Sequence, residues 1–169
     1  MTTAMTTAQT RVLESVRPTG DLVAMVGPSA SGKTTLLAAV PPHQIVSLDR
    51  LRAVVSQPGD QTATPDAVLL QHQILSMRLR RGLTTYVDNV SITAHHRAQL
   101  VELAHQHGCR AVAIHLDVPF PDCLARNSRR PAETRVPEDI LRYQHRLARD
   151  TRELLTSEGW DEIHHLRTT

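Results

Sequence analysis

Apolar positions along this chain fall into two alternating kinds of run. Short, nearly continuous stretches such as Leu22-Val23-Ala24-Met25-Val26 and Ala111-Val112-Ala113-Ile114 have no polar side, as strands covered on both faces do. Between them lie longer segments whose apolar residues recur at helical spacing, Ile140, Leu141, Leu147, Leu154 and Leu155 among interspersed arginines being the longest. The pattern predicts strands near residues 21–26, 44–48, 83–88, 110–116 and 163–166, and helices over 33–39, 64–81, 94–107, 121–130 and 137–157. Thr64-Pro65-Asp66 and Pro137-Glu138-Asp139 are helix openings, and Gly82, Gly108 and Gly159 stand where helices should stop. This alternation is expected of a five-stranded parallel sheet with helices on both faces, a three-layer α/β/α sandwich. Right-handed crossovers bring every strand's carboxyl end to one rim, so the residues at strand ends carry the chemistry.

The first strand runs into Gly27-Pro28-Ser29-Ala30-Ser31-Gly32-Lys33-Thr34, a complete G-x-x-x-x-G-K-[ST] phosphate loop, and Thr35-Leu36-Leu37 begins the helix that the motif requires. Backbone N–H groups of Gly27 and of Ser29 through Thr35 are expected to cradle a nucleoside triphosphate, ATP or another. Lys33 reaches its β and γ phosphates and the Thr34 hydroxyl ligates Mg²⁺. The second strand ends in Leu48-Asp49, with Arg50-Leu51-Arg52 following. A helical turn there would point Asp49 and Arg52 the same way, one to accept the proton of an attacking hydroxyl, the other to hold a phosphate or carboxylate of the acceptor. The alternative is that Asp49 caps the next helix and Arg52 is solvated surface. The third strand ends in Val87-Asp88-Asn89, where Asp88 either contacts Mg²⁺ or its water shell, as a Walker B carboxylate does, or belongs to a plain Asp-Asn turn. Beyond the fourth strand, Pro119-Phe120-Pro121 opens a segment carrying Arg126, Arg129, Arg130 and Arg135. Arg126 and Arg130 share a helix face and suit a lid over about residues 126–136, closing on the triphosphate, whereas Arg129 points elsewhere.

Composition narrows the picture. At 169 residues, 40% hydrophobic and 21% charged, the chain fits one domain over residues 19–169, preceded by a flexible segment over 1–18. A formal net charge of +2 means that a polyanionic partner would need a local basic patch. One Trp, one Phe and two Tyr rule against an aromatic base-stacking platform. Cys109 and Cys123 have no metal-ligand spacing and read as buried reduced thiols, and the ten histidines lack an H-E-x-x-H arrangement. No apolar run approaches transmembrane length, so a cytoplasmic protein without membrane contact is expected.

Taken together, Gly27 to Thr34, Ser47-Leu48-Asp49-Arg50-Leu51-Arg52, Gly59-Asp60-Gln61-Thr62-Ala63-Thr64, Val87-Asp88-Asn89 and Arg126-Asn127-Ser128-Arg129-Arg130 resemble, in order and spacing, the 5′-hydroxyl polynucleotide kinase module of bacterial polynucleotide kinase-phosphatase RNA-repair enzymes. The resemblance covers residues 20 to about 165 and implies a P-loop NTPase fold of the nucleotide-kinase type with a short arginine-bearing lid. It implies ATP and Mg²⁺ as cofactors and the 5′-OH end of RNA or DNA as substrate. It makes Asp49 the general base and places Arg52 on the acceptor's 3′ phosphate. Gln61 and Asp88 fall to the acceptor side, and Arg126 and Arg130 to the ATP phosphates. The phosphatase and ligase modules of that family are absent here, so a free-standing kinase, or a partner of separately encoded enzymes, is expected. Where the family shows Val-Asp-Ala-Thr-Asn, this chain has Val87-Asp88-Asn89-Val90-Ser91. A kinase for a small alcohol (nucleoside, antibiotic or sugar) and a non-catalytic nucleotide switch remain as alternatives.

Overall fold

Strand β1 (Asp21–Val26) lies at the centre of a parallel sheet because every one of its residues is buried and its apolar side chains serve both faces. It pairs on one side with β3 (Thr85–Asp88), which in turn pairs with the edge strand β2 (Ile45–Ser47). On the other side stand β4 (Arg110–Asp117) and the second edge, β5 (Glu162–Arg167), giving the order β2-β3-β1-β4-β5. This is the computed structural model of the protein, and it describes residues 6–167. The five parallel strands are those that the hydrophobic pattern predicts.

Period-two alternation along β1 sends Leu22, Ala24 and Val26 to one face and Val23 and Met25 to the other. The first face packs against Leu75 and Leu79 of α4 (Thr64–Leu79), and against Leu100, Val101 and Ala104 of α5 (Ala94–Gln106). The second packs against Leu36 and Leu37 of α2 (Lys33–Leu37), Cys123 of α6 (Phe120–Ser128) and Leu141 of α7 (Glu138–Leu154). Each such Leu contributes about 1.5–3 kcal/mol by leaving water. Cys109 and Cys123 are free and buried, as small apolar side chains.

Three expectations require correction. The segment read as flexible over residues 1–18 contains α1 (Thr7–Ser15); residues 1–5 lie outside the described part. Its Thr6 and Gln9 form a reciprocal capping box, and Val12 is buried in the second core, which outweighs a polar composition rich in Thr and Ala. After β2 the chain forms more than a single turn: α3 (Leu48–Val55) runs on and packs against α4. In α7, Ile140 and Leu154 are exposed while Leu141, Ala148 and Thr151 take the buried face, because the helix turns its stripe toward the sheet at positions i, i+7 and i+10.

A buried ion pair ties the far side of the rim. Arg97 of α5, with no exposed surface, donates to Glu158 Oε1 (2.5 Å) and Oε2 (2.7 Å), to the Thr151 hydroxyl (3.3 Å) and to the Ser91 carbonyl (3.2 Å). The loop that follows β3 is thereby anchored to α5 and to the turn before β5.

Candidate active site

At the carboxyl ends of the strands a cavity of about 480 Å³ opens above β1. Its floor is the phosphate loop. Gly27 donates its N–H to the Val90 carbonyl (3.0 Å) at φ 152°, and a Cβ there would lie 3.0 Å from Ser31 Oγ and 3.2 Å from the Leu116 carbonyl. Gly32, at φ 100°, opens α2 in a left-handed conformation that only glycine adopts freely. Two side chains from elsewhere hold the loop: Gln144 Oε1 accepts from the Ser29 N–H (2.9 Å), and Arg126 Nη1 donates to the Ser31 carbonyl (3.3 Å).

Lys33 is 8% exposed and folds back over the loop, its ammonium donating to the Gly27 carbonyl (2.9 Å), the Pro28 carbonyl (2.6 Å) and Ser31 Oγ (3.4 Å). Burial pulls its pKa down to about 8, although the Asp88 charge works in the other direction. Asp88 stands at the end of β3, level with Ser47 of β2. Its Oδ2 accepts from the Thr34 hydroxyl at 3.3 Å. Burial raises the Asp88 pKa, with Lys33 and the Thr34 hydrogen bond opposing that rise. Thr34 and Asp88, which the sequence assigns to Mg²⁺, are therefore brought together.

Asp49 and Arg52 sit on the first turns of α3 and form an ion pair on one face, as their spacing predicts. The two differ sharply in exposure, 83% for the carboxylate side chain and 13% for the guanidinium, so Asp49 is presented to solvent while Arg52 is held beneath it. Both line the cavity, next to Leu48, Asp88, Asn89 and Val90. Asn89 is fixed by a buried network in which its amide exchanges two hydrogen bonds with Gln71 (3.0 and 2.9 Å) and donates to His96 Nε2 (3.1 Å). Burial holds the His96 pKa down at about 4, so the neutral ring accepts that hydrogen bond.

Arg126 and Arg130 reach the cavity from the opposite wall and Arg129 is exposed; α6 closes at Ser128, two residues short of the expected 121–130 helix, so Arg130 stands just past its end. The segment between α6 and α7 is closed at its root by Asn127, whose amide donates to the Val136 carbonyl (2.7 Å) and accepts from the Val136 N–H (3.1 Å). Arg135 is used inside the segment, donating to the carbonyls of Ser128 (2.9 Å) and Arg130 (3.0 Å).

Gln61 departs from expectation. It is exposed, on a 3₁₀ turn (Gln61–Ala63), and does not line the cavity. Asp60 accounts for this: it accepts from the Thr62 N–H (2.9 Å), from the Thr62 hydroxyl (2.5 Å) and from Ser56 Oγ (2.6 Å), which turns the whole stretch into the lead-in to α4. Ser91 also lies outside the cavity lining; it is buried at φ 48° with its hydroxyl unpartnered. The sequence reading missed Leu48, Asn89, Val90, Gln144, Thr6, Gln9 and Arg167. Only the Thr6-x-x-Gln9 capping box had a readable local signal.

Residues 22–155 match the family model AAA_33, described as an AAA domain. The chain belongs to the AAA_33 family. This AAA_33 domain shares a P-loop kinase-like fold with several solved structures. A complex of AvrRxo1-ORF1 and -ORF2 with ATP superposes with a TM-score of 0.69 at 18% identity, covering 96% of this chain and 58% of that one. The Pnkp1/Rnl/Hen1 RNA repair complex gives 0.71 at 14% identity over 84% of this chain and 48% of that one. The Mycobacterium tuberculosis APS kinase CysC, in complex with AMPPNP and APS, gives 0.53 at 18% identity over 83% of this chain and 99% of that one. At these identities the likeness is one of fold. The chain spans 58% of the length of the AvrRxo1 chains it matches. No curated protein matches the sequence significantly. Among the described residues, no helix is long and apolar enough to cross a membrane.

Proposed function

We propose that this AAA_33 domain is an ATP-dependent phosphotransferase that moves the γ-phosphoryl group onto a hydroxyl, and that its acceptor is the 5′-OH end of a polynucleotide. The observation that supports this most directly is the juxtaposition, in one cavity, of a phosphate-loop lysine, an exposed carboxylate paired with an arginine, and two arginines on the facing wall. A nucleotide switch needs the first of these but has no use for the second.

The loop's N–H groups and Lys33 bind the β and γ phosphates, and Lys33 exchanges its bonds to Gly27 and Pro28 for phosphate oxygens. Thr34 Oγ1 and Asp88 Oδ2, 3.3 Å apart at the loop, are the hard oxygen donors that Mg²⁺ takes, so the residues present fit that ion. An ion held there would supply neutralisation of the charge on the β and γ phosphates. The acceptor oxygen attacks the γ phosphorus as the bond to the β–γ bridging oxygen breaks and ADP departs; the hydroxyl proton passes to Asp49. Arg126 and Arg130 face the charge that spreads over the transferring group. Arg52 has donors beyond those on Asp49 and holds the phosphate next to the reacting hydroxyl.

One observation favours a second reading, a small phosphorylated or carboxylated alcohol as acceptor. Among the lining residues that come from α3, the end of β3 and the loop after it, Arg52 is the one cation, whereas polynucleotides engage several. Label transfer from γ-labelled ATP with Mg²⁺ onto 5′-OH RNA, 5′-OH DNA, 3′-mononucleotides and free nucleosides separates the two. Labelled oligonucleotide ends, with a rate that falls steeply with salt, support the polynucleotide acceptor. Transfer confined to small alcohols replaces it, and ATP binding without transfer to any alcohol refutes the phosphotransferase reading.

A further inference from the structure

The cavity extends past the phosphate loop on the side away from Asp49. There its wall is built from opposite ends of the chain: Thr6 and Gln9 of the first turn of α1, and Arg167, the last residue of β5. Helix α1 reaches this rim because it runs against β5 in the opposite sense. Ser15 Oγ, at its carboxyl end, lies 3.0 Å from His164 Nε2, and the Ser15 carbonyl accepts from Arg110 (3.1 Å) at the start of β4. Val12 is sunk in the core between these ends, which fixes the height at which Gln9 meets the cavity.

Sheet order then sets the direction of a bound nucleotide. Asp49 follows β2 and Asp88 ends β3, on one side of β1; Arg167 ends β5, on the other. If the γ-phosphate faces Asp49, a triphosphate seated on the loop runs from the β3 side toward the β4 side, and its nucleoside arrives at Arg167 and α1. Both carboxylates of the cavity lining, Asp49 and Asp88, lie at the γ end, and the α1 side offers hydrogen-bond donors. The capping box decides which atom of Gln9 is available. Its Oε1 accepts from the Thr6 N–H (2.9 Å) and its N–H donates to Thr6 Oγ1 (3.3 Å), leaving the Nε2 hydrogens for a ligand.

We propose that Gln9 and Arg167 bind the nucleoside portion of the donor nucleotide, donating to the acceptor nitrogens of a purine base or to the ribose oxygens. The N-terminal helix is thus a donor-recognition element that sits outside the matched domain, which begins at residue 22. This rests on reading the phosphate loop as the triphosphate site, and the test separates the two.

The experiment compares binding of ATP and of inorganic tripolyphosphate, each with Mg²⁺, to the full chain and to Gln9→Glu and Arg167→Gln by calorimetry. Gln9→Glu keeps a Thr-x-x-Glu capping box, so α1 stays capped while a carboxylate replaces the free donor. The ratio of the two affinities isolates the nucleoside contribution, because a general charge effect acts on both ligands. The wild-type chain is expected to prefer ATP, and each variant to shrink that preference by about three- to tenfold, the range of one hydrogen bond. Tripolyphosphate binding should change little, and circular dichroism should show unchanged helicity. A wild-type chain that binds both ligands equally, or variants that keep the full ATP preference, overturns the proposal. Failure of both ligands to bind at all refutes the phosphate-loop reading itself, and with it this one.

Discussion

Replacing Lys33 by methionine should separate the contribution of this residue to function from its effect on the fold, and pH gives the size of the second. In the folded chain its pKa is about 8, against 10.5 for a free lysine, and burial is the leading cause. The folded state therefore holds the proton less tightly than the unfolded state does. Between pH 8 and 10.5 the unfolded chain carries more protons, so stability rises with pH across that window. Below the window the charged ammonium is a penalty of about 3 kcal/mol, shrinking to about 1 kcal/mol at pH 10. Lys33→Met removes this component, and its stability relative to the wild type should fall by about 2–3 kcal/mol between pH 7 and pH 10. In a domain of this size that is a relative change in Tm of roughly 4–12 °C, readable by scanning calorimetry. Using the difference cancels Tyr86, whose pKa burial pushes up to about 12 and whose stabilisation is lost as pH rises from 10 toward 12 in both proteins. The three hydrogen bonds that the Lys33 ammonium donates to the loop favour its charged form and so work against the fall that burial causes. A flat difference between the two proteins from pH 7 to 10 would show that Lys33 is not the charge carried at a cost in the loop. In the enzyme reading the same pKa limits kcat/KM for ATP, which should decline above about pH 8.

Asp49→Asn should abolish phosphoryl transfer while ATP affinity stays within about twofold, since the carboxylate is exposed and lies at the acceptor end; substantial retained transfer removes it from the base role. Arg126→Ala and Arg130→Ala should each lower kcat by about 10³-fold with a small change in Tm, because Arg126 contributes one long hydrogen bond to the loop. Parallel losses in rate and melting temperature would make them structural instead. Glu158→Gln should destabilise the fold by about 3–5 kcal/mol in urea unfolding, because it leaves the fully buried Arg97 guanidinium without its counter-charge. A loss below about 1 kcal/mol would mean that Arg97 finds compensation from Thr151 and Ser91 alone.

The phosphate loop, the acids at and just beyond the strand ends and the arginines of the α6 segment were legible in the sequence because each is a local pattern. Eight residues of loop between a strand and a helix, or an acid and an arginine three apart, need only the geometry of their own element. The order of strand and helix was legible for the same reason, since periods of 2 and 3.6 repeat within a single element. What the sequence could not determine is which distant segments share a surface. Thr6 and Gln9 line the same cavity as Arg167 because α1 runs antiparallel to β5, and Asn89 is held in place by Gln71 and His96 from two helices. Gln61 was assigned to the acceptor pocket by resemblance, but Asp60 spends its hydrogen bonds on Ser56 and Thr62 and turns the segment outward. The depressed pKa of Lys33 is likewise a product of packing, since desolvation depends on everything folded over the ammonium group. By itself the sequence determined that this chain places a P-loop on the rim of a parallel sheet. The tertiary structure decided which residues close that rim on each side, because their contacts follow from strand order and helix direction, which no local spacing records.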